Sequence, residues 1–336
     1  MGKSRELSDY ANKQTTKNTI INGNFDIWQR GTSLIAGTGT RYLSDRWANE
    51  SVGTTMTPSR ETILPGDILK ATHFHRNIVT SVVGTGNYAS LLTKIENVST
   101  HAGEKVTLSF YAKSDAPKNI ASDLRQEFGT GGTPSTTITG IGVTTYALTT
   151  NWQKFTATFN VPSISGKTIG TNNDNFLELV FWFESGSNND ARTNALGQQS
   201  GTFDIAQVQI ESGGIASDFD LRTFTEELIL CHRYYEKSYD IDQIPGSIVS
   251  LGQYSIRSTG AFNYPFTYNW FEKRVIPTIT FYNPATGTPG QLRDNTINRG
   301  VVGLRVNTKN MGEISVTSPP TLANVLIFHL VIDAEL

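Results

Sequence analysis

Short segments in which apolar and polar residues alternate recur along the first two thirds of the chain. In Lys105–Lys113 every second residue is apolar, and Gln153–Val161 and Phe176–Phe183 repeat the pattern. Successive side chains of a β-strand point to opposite faces, so a period of two predicts strands with one buried face. No helical pattern separates these segments, which favours an antiparallel β-sandwich.

The inward faces of these three strands define the predicted core, because a sandwich needs two apolar inner faces. The predicted core residues are Val106, Leu108, Phe110, Phe155, Phe159, Leu177, Leu179, Phe181 and Phe183. A further segment, Phe203–Ile210, changes parity midway. We therefore predict a β-bulge near Ala206.

One segment has a helical pattern. Thr223 and Glu226 have the spacing of a capping box at a helix N-terminus. The apolar residues that follow with helical spacing are Phe224, Leu228, Cys231 and Tyr235. This spacing predicts an α-helix over Phe224–Tyr239 or a little less. The helix either docks on the sandwich or contributes to contacts between subunits of an oligomer.

The predicted fold is mostly β, with an N-terminal β-sandwich, one linking α-helix and a smaller C-terminal β-rich domain. A chain of 336 residues has the length of two or three domains. The predicted boundaries are a polar N-terminal arm at 1–17, the sandwich at 18–215, a helical linker at 216–245 and the C-terminal domain at 246–336.

Bulk properties exclude several classes of protein. A net charge of −2 provides no basic surface for nucleic acid. The longest apolar run, Val325–Ile332, is too short to cross a membrane and contains His329, so we expect a buried strand and no membrane insertion. The single cysteine, Cys231, excludes an intrachain disulfide. We therefore expect the chain to fold in a reducing cytoplasm.

Catalytic motifs are scarce in this sequence. It contains no Gly-x-Ser-x-Gly elbow, no phosphate-binding loop and no dinucleotide fingerprint. A glycosidase needs a pair of carboxylates. The available acids are Asp26, Asp45, Glu178, Asp204 and Glu211. Their spacing selects no pair, so we predict a non-catalytic protein and keep a glycan depolymerase as the weaker alternative.

Aromatic residues occur on the polar faces of two predicted strands. Trp182 shares its face with Glu178, and Tyr111 shares its face with Ser109. An aromatic ring can cover the apolar face of a sugar while polar neighbours bond its hydroxyls. Trp182, Tyr111 and Glu178 are therefore candidate glycan-binding residues, provided that the two strands are neighbours. The alternative is that these rings pack beneath a loop or against another subunit.

Several segments, taken in order, resemble a domain of bacteriophage tail-fibre and related virion proteins. They are residues 22–31 (NGNFDIWQRG), 44–47 (SDRW), 129–135, 152–155, 201–211 and 226–235, followed more loosely by 275–278 and 333–336. Together they cover residues 18–240 well, and their order and spacing make the resemblance fairly specific.

The resemblance implies a jelly-roll sandwich, because the N-terminal part of that family is similar to galactose-binding-like carbohydrate-binding modules. Some of those modules hold a structural calcium between the first and last strands. Asp26 and Asp204 lie in the corresponding segments and are weak calcium candidates. The paired acids that such modules often carry in the last strand are Ala206 and Gln207 here. No other cofactor is implied.

The resemblance also implies a function. We expect a virion fibre, spike or tail-tip protein that recognises a bacterial surface glycan during host attachment. The alternative is a purely structural connector or decoration protein without glycan binding. Expected partners are further copies of the chain, with a homotrimer favoured, other virion proteins and bacterial surface polysaccharide. The expected location is the virion, after folding in the host cytoplasm.

Overall fold

The computed structural model describes residues 17–258, 263–295, 297–316 and 324–336, and the predicted arm at 1–17 lies outside them except for Lys17. Two compact units are present. Unit 1 comprises the chain up to Asp26, Ser33–Arg41 and Trp47–Arg222. Unit 2 comprises Ile27–Thr32, Tyr42–Arg46 and Thr223–Leu336. The two short segments of unit 2 thus interrupt the range that the sequence assigned to the sandwich.

Unit 1 contains one antiparallel sheet of ten strands. They are β1 (Gly37–Tyr42), β2 (Trp47–Thr62), β3 (His73–Thr80), β4 (Tyr88–Glu96), β5 (Lys105–Ser114), β6 (Lys118–Glu127), β7 (Ile138–Leu148), β8 (Gln153–Asn160), β9 (Phe176–Ser185) and β10 (Gly201–Ser212). Hydrogen-bonded neighbours follow the order β7-β6-β9-β4-β2-β3-β10-β5-β8, with β1 beside β2. Residues 47–53 of β2 pair with β4 and residues 55–62 pair with β3. The sheet therefore passes through β2 from one layer of a sandwich to the other.

Aromatic rings join the two layers of unit 1. Phe181 of β9 meets Phe110 of β5 edge-on, with ring centroids 4.8 Å apart. Tyr146 of β7 packs on the same Phe110 ring at 4.9 Å. All nine predicted core residues except the half-buried Phe155 are buried. The predicted fold class and the three alternating strands are therefore confirmed.

The predicted bulge in β10 is also confirmed. The register between β10 and β5 shifts between Ala206 and Gln209, and Gln207 has a φ of 46°. The shift leaves the amide of Val208 free to donate to the carbonyl of Gly23 at 2.8 Å. A Cβ on Gly23 would lie 2.1 Å from the Val208 carbonyl oxygen, so this close approach requires glycine.

Helices are short within the described ranges. A 3-10 turn at Ser187–Asn189 leads into α1 (Asp190–Thr193), and α2 covers Phe224–His232. The predicted capping box begins α2: the Glu226 amide donates to Thr223 Oγ1 at 3.3 Å, and the Thr223 amide donates to Glu226 Oε2 at 2.8 Å. None of the helices described here has the length and hydropathy needed to span a membrane.

Helix α2 ends earlier than the sequence predicted. Tyr235 lies in strand β11 (Tyr235–Lys237), where it pairs with Asp333. Its ring is buried, with the Arg30 guanidinium 3.6 Å from the ring centroid. Phe224, predicted on the apolar stripe, is 50% exposed, whereas Cys231 is buried as expected. The pairing of Tyr235–Lys237 with β18 thus ends the helix, although the spacing of the apolar side chains is helical.

The sheet of unit 2 is organised around its last strand. Its strands are β11, β12 (Tyr254–Arg257), β13 (Asn263–Asn269), β14 (Thr278–Tyr282), β15 (Gln291–Asp294), β16 (Ile297–Asn307), β17 (Met311–Val316) and β18 (Val325–Asp333). The order is β11-β18-β15-β16-β17-β13, and β12 and β14 also pair with β18. The core cluster consists of Ile256, Trp270, Phe281, Leu292, Leu326, Phe328, Leu330 and Ile332. Of these strands, the one predicted above from its apolar run is β18. Strand β13 contains a proline, and the four-residue β15 is too short to show an alternating pattern.

A buried charged cluster lies within unit 2. Arg30 Nη2 is 3.1 Å from Glu335 Oε1, and Arg46 pairs with the other oxygen of the same carboxylate. Beside them, the buried Asp45 carboxylate accepts hydrogen bonds from the Gln29 amide at 3.0 Å and from Gln29 Nε2 at 2.6 Å. Burial raises the pKa of Asp45, and Arg30 opposes that shift. The cluster therefore joins both short segments of unit 2 to the end of the chain.

Tyrosine rings complete this cluster. The Arg46 guanidinium lies 3.5 Å from the Tyr234 ring centroid, and the Tyr42 hydroxyl donates to the Leu336 carbonyl at 3.0 Å. Arg30, Arg46, Tyr234, Tyr235 and Glu335 belong to four of the segments that resemble tail-fibre proteins, namely 22–31, 44–47, 226–235 and 333–336. These five residues, distant in sequence, thus meet inside unit 2.

We expect Phe181→Ala to lower the free energy of unfolding by about 3 to 5 kcal/mol, because it leaves a cavity between the layers of unit 1. Urea denaturation followed by circular dichroism measures this change. The half-exposed Phe224 provides the control, and Phe224→Ala should cost less than about 1 kcal/mol. Equal costs for the two variants would contradict the packing described for unit 1.

We expect Glu335→Gln to destabilise unit 2 by about 3 kcal/mol, because two buried guanidinium groups lose their shared counter-charge. Differential scanning calorimetry of the full chain measures this change. Glu272→Gln, at an exposed position of unit 2, is the matched control and should leave the midpoint temperature of unfolding unchanged. An unchanged transition for Glu335→Gln would show that the cluster contributes nothing to stability.

Candidate functional site

The outward face of β4, β6 and β9 brings charged and aromatic side chains together. In the strand register, Glu178 of β9 lies between Lys94 of β4 and Arg125 of β6. The alternate residues of β9 point into the core, so these positions point away from it. We define the Glu178 face as the side chains of Tyr88, Lys94, Arg125, Phe176, Glu178 and Trp182.

The centre of this face is a buried ion pair. The Glu178 side chain is 2% exposed, and Arg125 Nε lies 2.9 Å from Glu178 Oε2. The hydrogen bond of this pair runs from Arg125 Nη2 to Glu178 Oε1, at 3.2 Å. Burial raises the pKa of Glu178 to about 7, against the opposing effects of Arg125 and Lys94. The carboxyl group therefore changes its protonation state near neutral pH.

The two cations of the face are positioned by a ring. Lys94 Nζ lies 4.6 Å from the ring centroid of Phe176, and Arg125 Cζ lies 5.4 Å from it. Phe176 is buried, whereas both cations are half-buried. Cation–π contacts of this length hold a charged group in place while leaving its outer side in water. The face thus presents fixed donors beside a buried acceptor.

Trp182 lies beneath the surface of this face. Its side chain is 3% exposed, with the Tyr88 ring 5.4 Å away and the Arg192 guanidinium 4.8 Å from its centroid. The indole Nε1 donates to Asp123 Oδ1 at 2.8 Å. Arg192 Nε also donates to Asp123, at 2.8 Å. A fully buried carboxylate needs hydrogen-bond donors, and Asp123 obtains them from the indole and from Arg192. Because Arg192 is held there, its guanidinium covers the indole ring.

The structure separates the predicted site residues, which corrects the expectation of a single platform. Tyr111 belongs to β5, and β4, β2, β3 and β10 lie between β5 and β9 in the sheet order. Trp182 and Glu178 share a face, but Trp182 is covered and Tyr111 lies on the other layer. Contact of Tyr111 or Glu178 with a glycan stays a prediction.

Tyr88, Lys94 and Arg125 are not among the residues predicted from the sequence. Strand β4 does carry a usable signal, because its sequence YASLLTKIE alternates and places Tyr88 and Lys94 on the same face. The contribution of Arg125 depends on the pairing of β6 with β9, which periodicity alone does not reveal.

The carboxylates of the two calcium candidates accept hydrogen bonds from neighbouring side chains. Asp26 accepts hydrogen bonds from Thr72 Oγ1 at 2.7 Å and Asn24 Nδ2 at 2.8 Å. Asp204 accepts two bonds from the Arg76 guanidinium, both at 2.8 Å. Across the ranges that the structure describes, no group of three or more His, Cys, Asp or Glu side chains is arranged to hold a metal ion.

Comparison with protein families identifies one matching region. A family model described as "Carbohydrate binding domain" matches residues 79–175. The matched segment contains Tyr88, Lys94 and Arg125, and ends immediately before β9. A search of the curated proteins finds no significant match.

Solved structures show partial likeness to this chain. A structure titled "CBM4 structure and function" is 17% identical to this chain, with a TM-score of 0.32. The match covers 57% of this chain and 98% of the other chain. The enzymatically active domain of bacteriophage CBA120 tailspike protein 4 is 17% identical, with coverages of 59% and 22% and a TM-score of 0.35. The family 11 carbohydrate-binding module from Clostridium thermocellum, with a β-1,3-1,4-mixed-linked tetrasaccharide, is 15% identical, with coverages of 54% and 99% and a TM-score of 0.32.

The raised pKa of Glu178 predicts a pH-dependent stability. Between the ordinary glutamate pKa and about 7, the folded chain binds a proton at Glu178 that the unfolded chain has released. The contribution of Glu178 to the free energy of unfolding should therefore fall by about 1 to 3 kcal/mol as pH rises through this window. Urea denaturation at pH 5 and pH 8 measures the change.

In Glu178→Gln this dependence should be lost. Glu127→Gln, at a half-buried position of β6, is the control and should keep the pH dependence of the unsubstituted chain. If the free energy of unfolding of Glu178→Gln changes between the two pH values as it does in the unsubstituted chain, Glu178 does not have a raised pKa.

Proposed function

We propose that unit 1 binds a glycan through the Glu178 face. The observation that carries the proposal is the grouping of half-buried Tyr88, Lys94 and Arg125 on one outward face, within the segment that matches a carbohydrate binding domain. An aromatic ring covers the apolar face of a sugar. Lysine and arginine donate to its hydroxyl oxygens. The buried Glu178 carboxylate positions Arg125 for this contact.

The donors of this face are held in place before any ligand arrives. Arg125 is held by Glu178, and both Arg125 and Lys94 lie over Phe176. Side chains that are already ordered lose less conformational entropy on binding. This supports recognition of a hydrogen-bonding ligand by the face.

We take this binding to be non-catalytic. The acids on this side of β6 and β9 include Glu178 and Asp123, and both are buried and paired with arginine. A glycosidase needs two carboxyl groups that reach the scissile bond from either side. Acids engaged in this way do not support a depolymerase at this face.

For the biological setting, we propose a bacteriophage fibre, spike or tail-tip protein that binds bacterial surface polysaccharide during host attachment. The support is the order of the tail-fibre-like segments in the sequence and the contact in unit 2 between residues of four of them. We further propose a homotrimer, in contact with other virion proteins. Several weak sites in one oligomer would together give firm attachment.

One observation favours the alternative of a structural virion component. The charged groups of the Glu178 face already have partners within the chain, and Trp182 is covered by Tyr88 and Arg192. A face of this kind can be stable without a ligand. Glycan binding by the isolated protein distinguishes the two functions.

We expect the full chain to bind members of an array of bacterial surface polysaccharides. Tyr88→Ala should weaken binding to the best ligand by about tenfold, equivalent to about 1.4 kcal/mol, because the ring contact is lost. Lys94→Met should weaken it by a similar factor through loss of a charged donor. Isothermal titration calorimetry with that polysaccharide measures both effects.

The controls for this experiment are Phe224→Ala and Lys167→Met, which alter an exposed aromatic residue and an exposed lysine away from the face. Both should bind as the unsubstituted chain does. Binding that is unaffected by Tyr88→Ala and Lys94→Met would exclude the Glu178 face. Absence of binding across the whole array would favour the structural alternative.

A further inference from the structure

A second candidate site lies on the opposite layer of unit 1. A pocket with a volume of about 120 Å³ opens on the outer face of β5, β8 and β10. The residues used below are Ser109 and Tyr111 of β5, Lys154 of β8, Gln207 of β10, Lys70 of the β2–β3 loop and Asp218, which follows β10. We call this the Tyr111 pocket.

Both rims of the Tyr111 pocket are anchored to β10. Gln207 Nε2 donates to the Leu69 carbonyl at 2.8 Å, which holds the β2–β3 loop. On the other side, the Asp220 amide donates to Gln209 Oε1 at 2.8 Å, which holds the segment after β10. The pocket is therefore preformed, as small-ligand sites usually are.

Three polar atoms of the lining lack a protein partner. Ser109 and Gln207 are 3% and 4% exposed. Across the described residues, Ser109 Oγ, Tyr111 Oη and Gln207 Oε1 make no hydrogen bond to the protein. None of the three is a fully enclosed atom, so each can form a hydrogen bond with a group in the pocket. Their convergence on one pocket indicates a site for a ligand rich in hydroxyl groups.

The aromatic wall of the pocket is fixed. Tyr111 packs against the buried cluster of Ile63, Ile68, Phe74 and Ala206, and it lies opposite Lys154 in the β5–β8 ladder. Because its ring is only partly buried, the remaining surface can cover the apolar face of a sugar ring. The volume is close to that of cavities that hold one six-membered ring, which suits a single sugar ring and not an extended chain.

The charges of the lining select among sugars. Lys70 and Lys154 are cations and Asp218 is an acid, so the lining carries a net positive charge. Lys154 Nζ is held at the rim by the Ser217 carbonyl at 3.3 Å. An ammonium group in this position favours a ligand with an anionic substituent.

We propose that the Tyr111 pocket binds a single uronic-acid residue of a polysaccharide. The sugar ring covers Tyr111, its carboxylate pairs with Lys154, and its hydroxyls bond to Asp218, Ser109 and Gln207. The inference builds on the proposed glycan binding, but uses a site on the other layer from the Glu178 face. The polysaccharide would then contact unit 1 at two sites, and the Tyr111 pocket would recognise its uronic-acid residues.

The test uses the full chain with methyl β-D-glucuronide and methyl β-D-glucoside in ligand-observed NMR titrations. We expect the glucuronide to bind more tightly than the glucoside by about fivefold or more at low salt, and salt to reduce this preference. Lys154→Met should remove the preference, and Tyr111→Ala should abolish binding of both sugars. Lys167→Met is the matched lysine control and should behave as the unsubstituted chain.

Equal binding of the two sugars, or an unchanged preference in Lys154→Met, would overturn the assignment of a uronic acid. Unchanged binding in Tyr111→Ala would overturn the pocket, and Tyr111→Phe, which retains the ring, checks that lost binding does not reflect misfolding. Tyr88→Ala separates the two proposals. It should weaken polysaccharide binding and leave glucuronide binding intact, so that either site can fail while the other stands.

Discussion

The contact of Phe181 with Phe110 between the layers of unit 1 constrains the rest of that unit. Once Phe181 points inward, the period of two along β9 places Glu178 and Trp182 on the outward face. A one-residue slip of β9 would exchange its two faces and point Glu178 into the core between the layers. The register with β4 and β6 then brings Lys94 and Arg125 beside Glu178. The candidate glycan face is in this sense a consequence of core packing.

Sequence periodicity predicted what depends on local pattern. The alternating strands, the bulge near Ala206 and the helix start at Thr223 follow from residue order alone. The errors occurred where a distant partner decides the outcome. Tyr235 pairs with β18 and does not extend the helix. Trp182 is covered because Asp123 accepts hydrogen bonds from both the indole and Arg192. No pattern within β9 reveals that Asp123 lies beside it.

Four of the segments that resemble tail-fibre proteins contribute residues to a buried network in unit 2. Arg30, Arg46 and Glu335 form a buried network in which each charge has a partner. Removing one member of such a network leaves an uncompensated charge, so these residues depend on one another. This part of the resemblance concerns unit 2, whereas residues 129–135, 152–155 and 201–211 lie in unit 1. Lys154 and Gln207 of the Tyr111 pocket belong to two of those segments.

The central claim is that the Glu178 face is where unit 1 contacts a glycan. Backbone and side-chain NMR of the isotopically labelled chain, titrated with an oligosaccharide of the best array ligand, tests it most directly. We expect shift changes centred on Tyr88, Lys94 and Arg125, with the Arg125 side-chain resonances among the most affected. Shift changes confined to other surfaces of unit 1, or to unit 2, would contradict it.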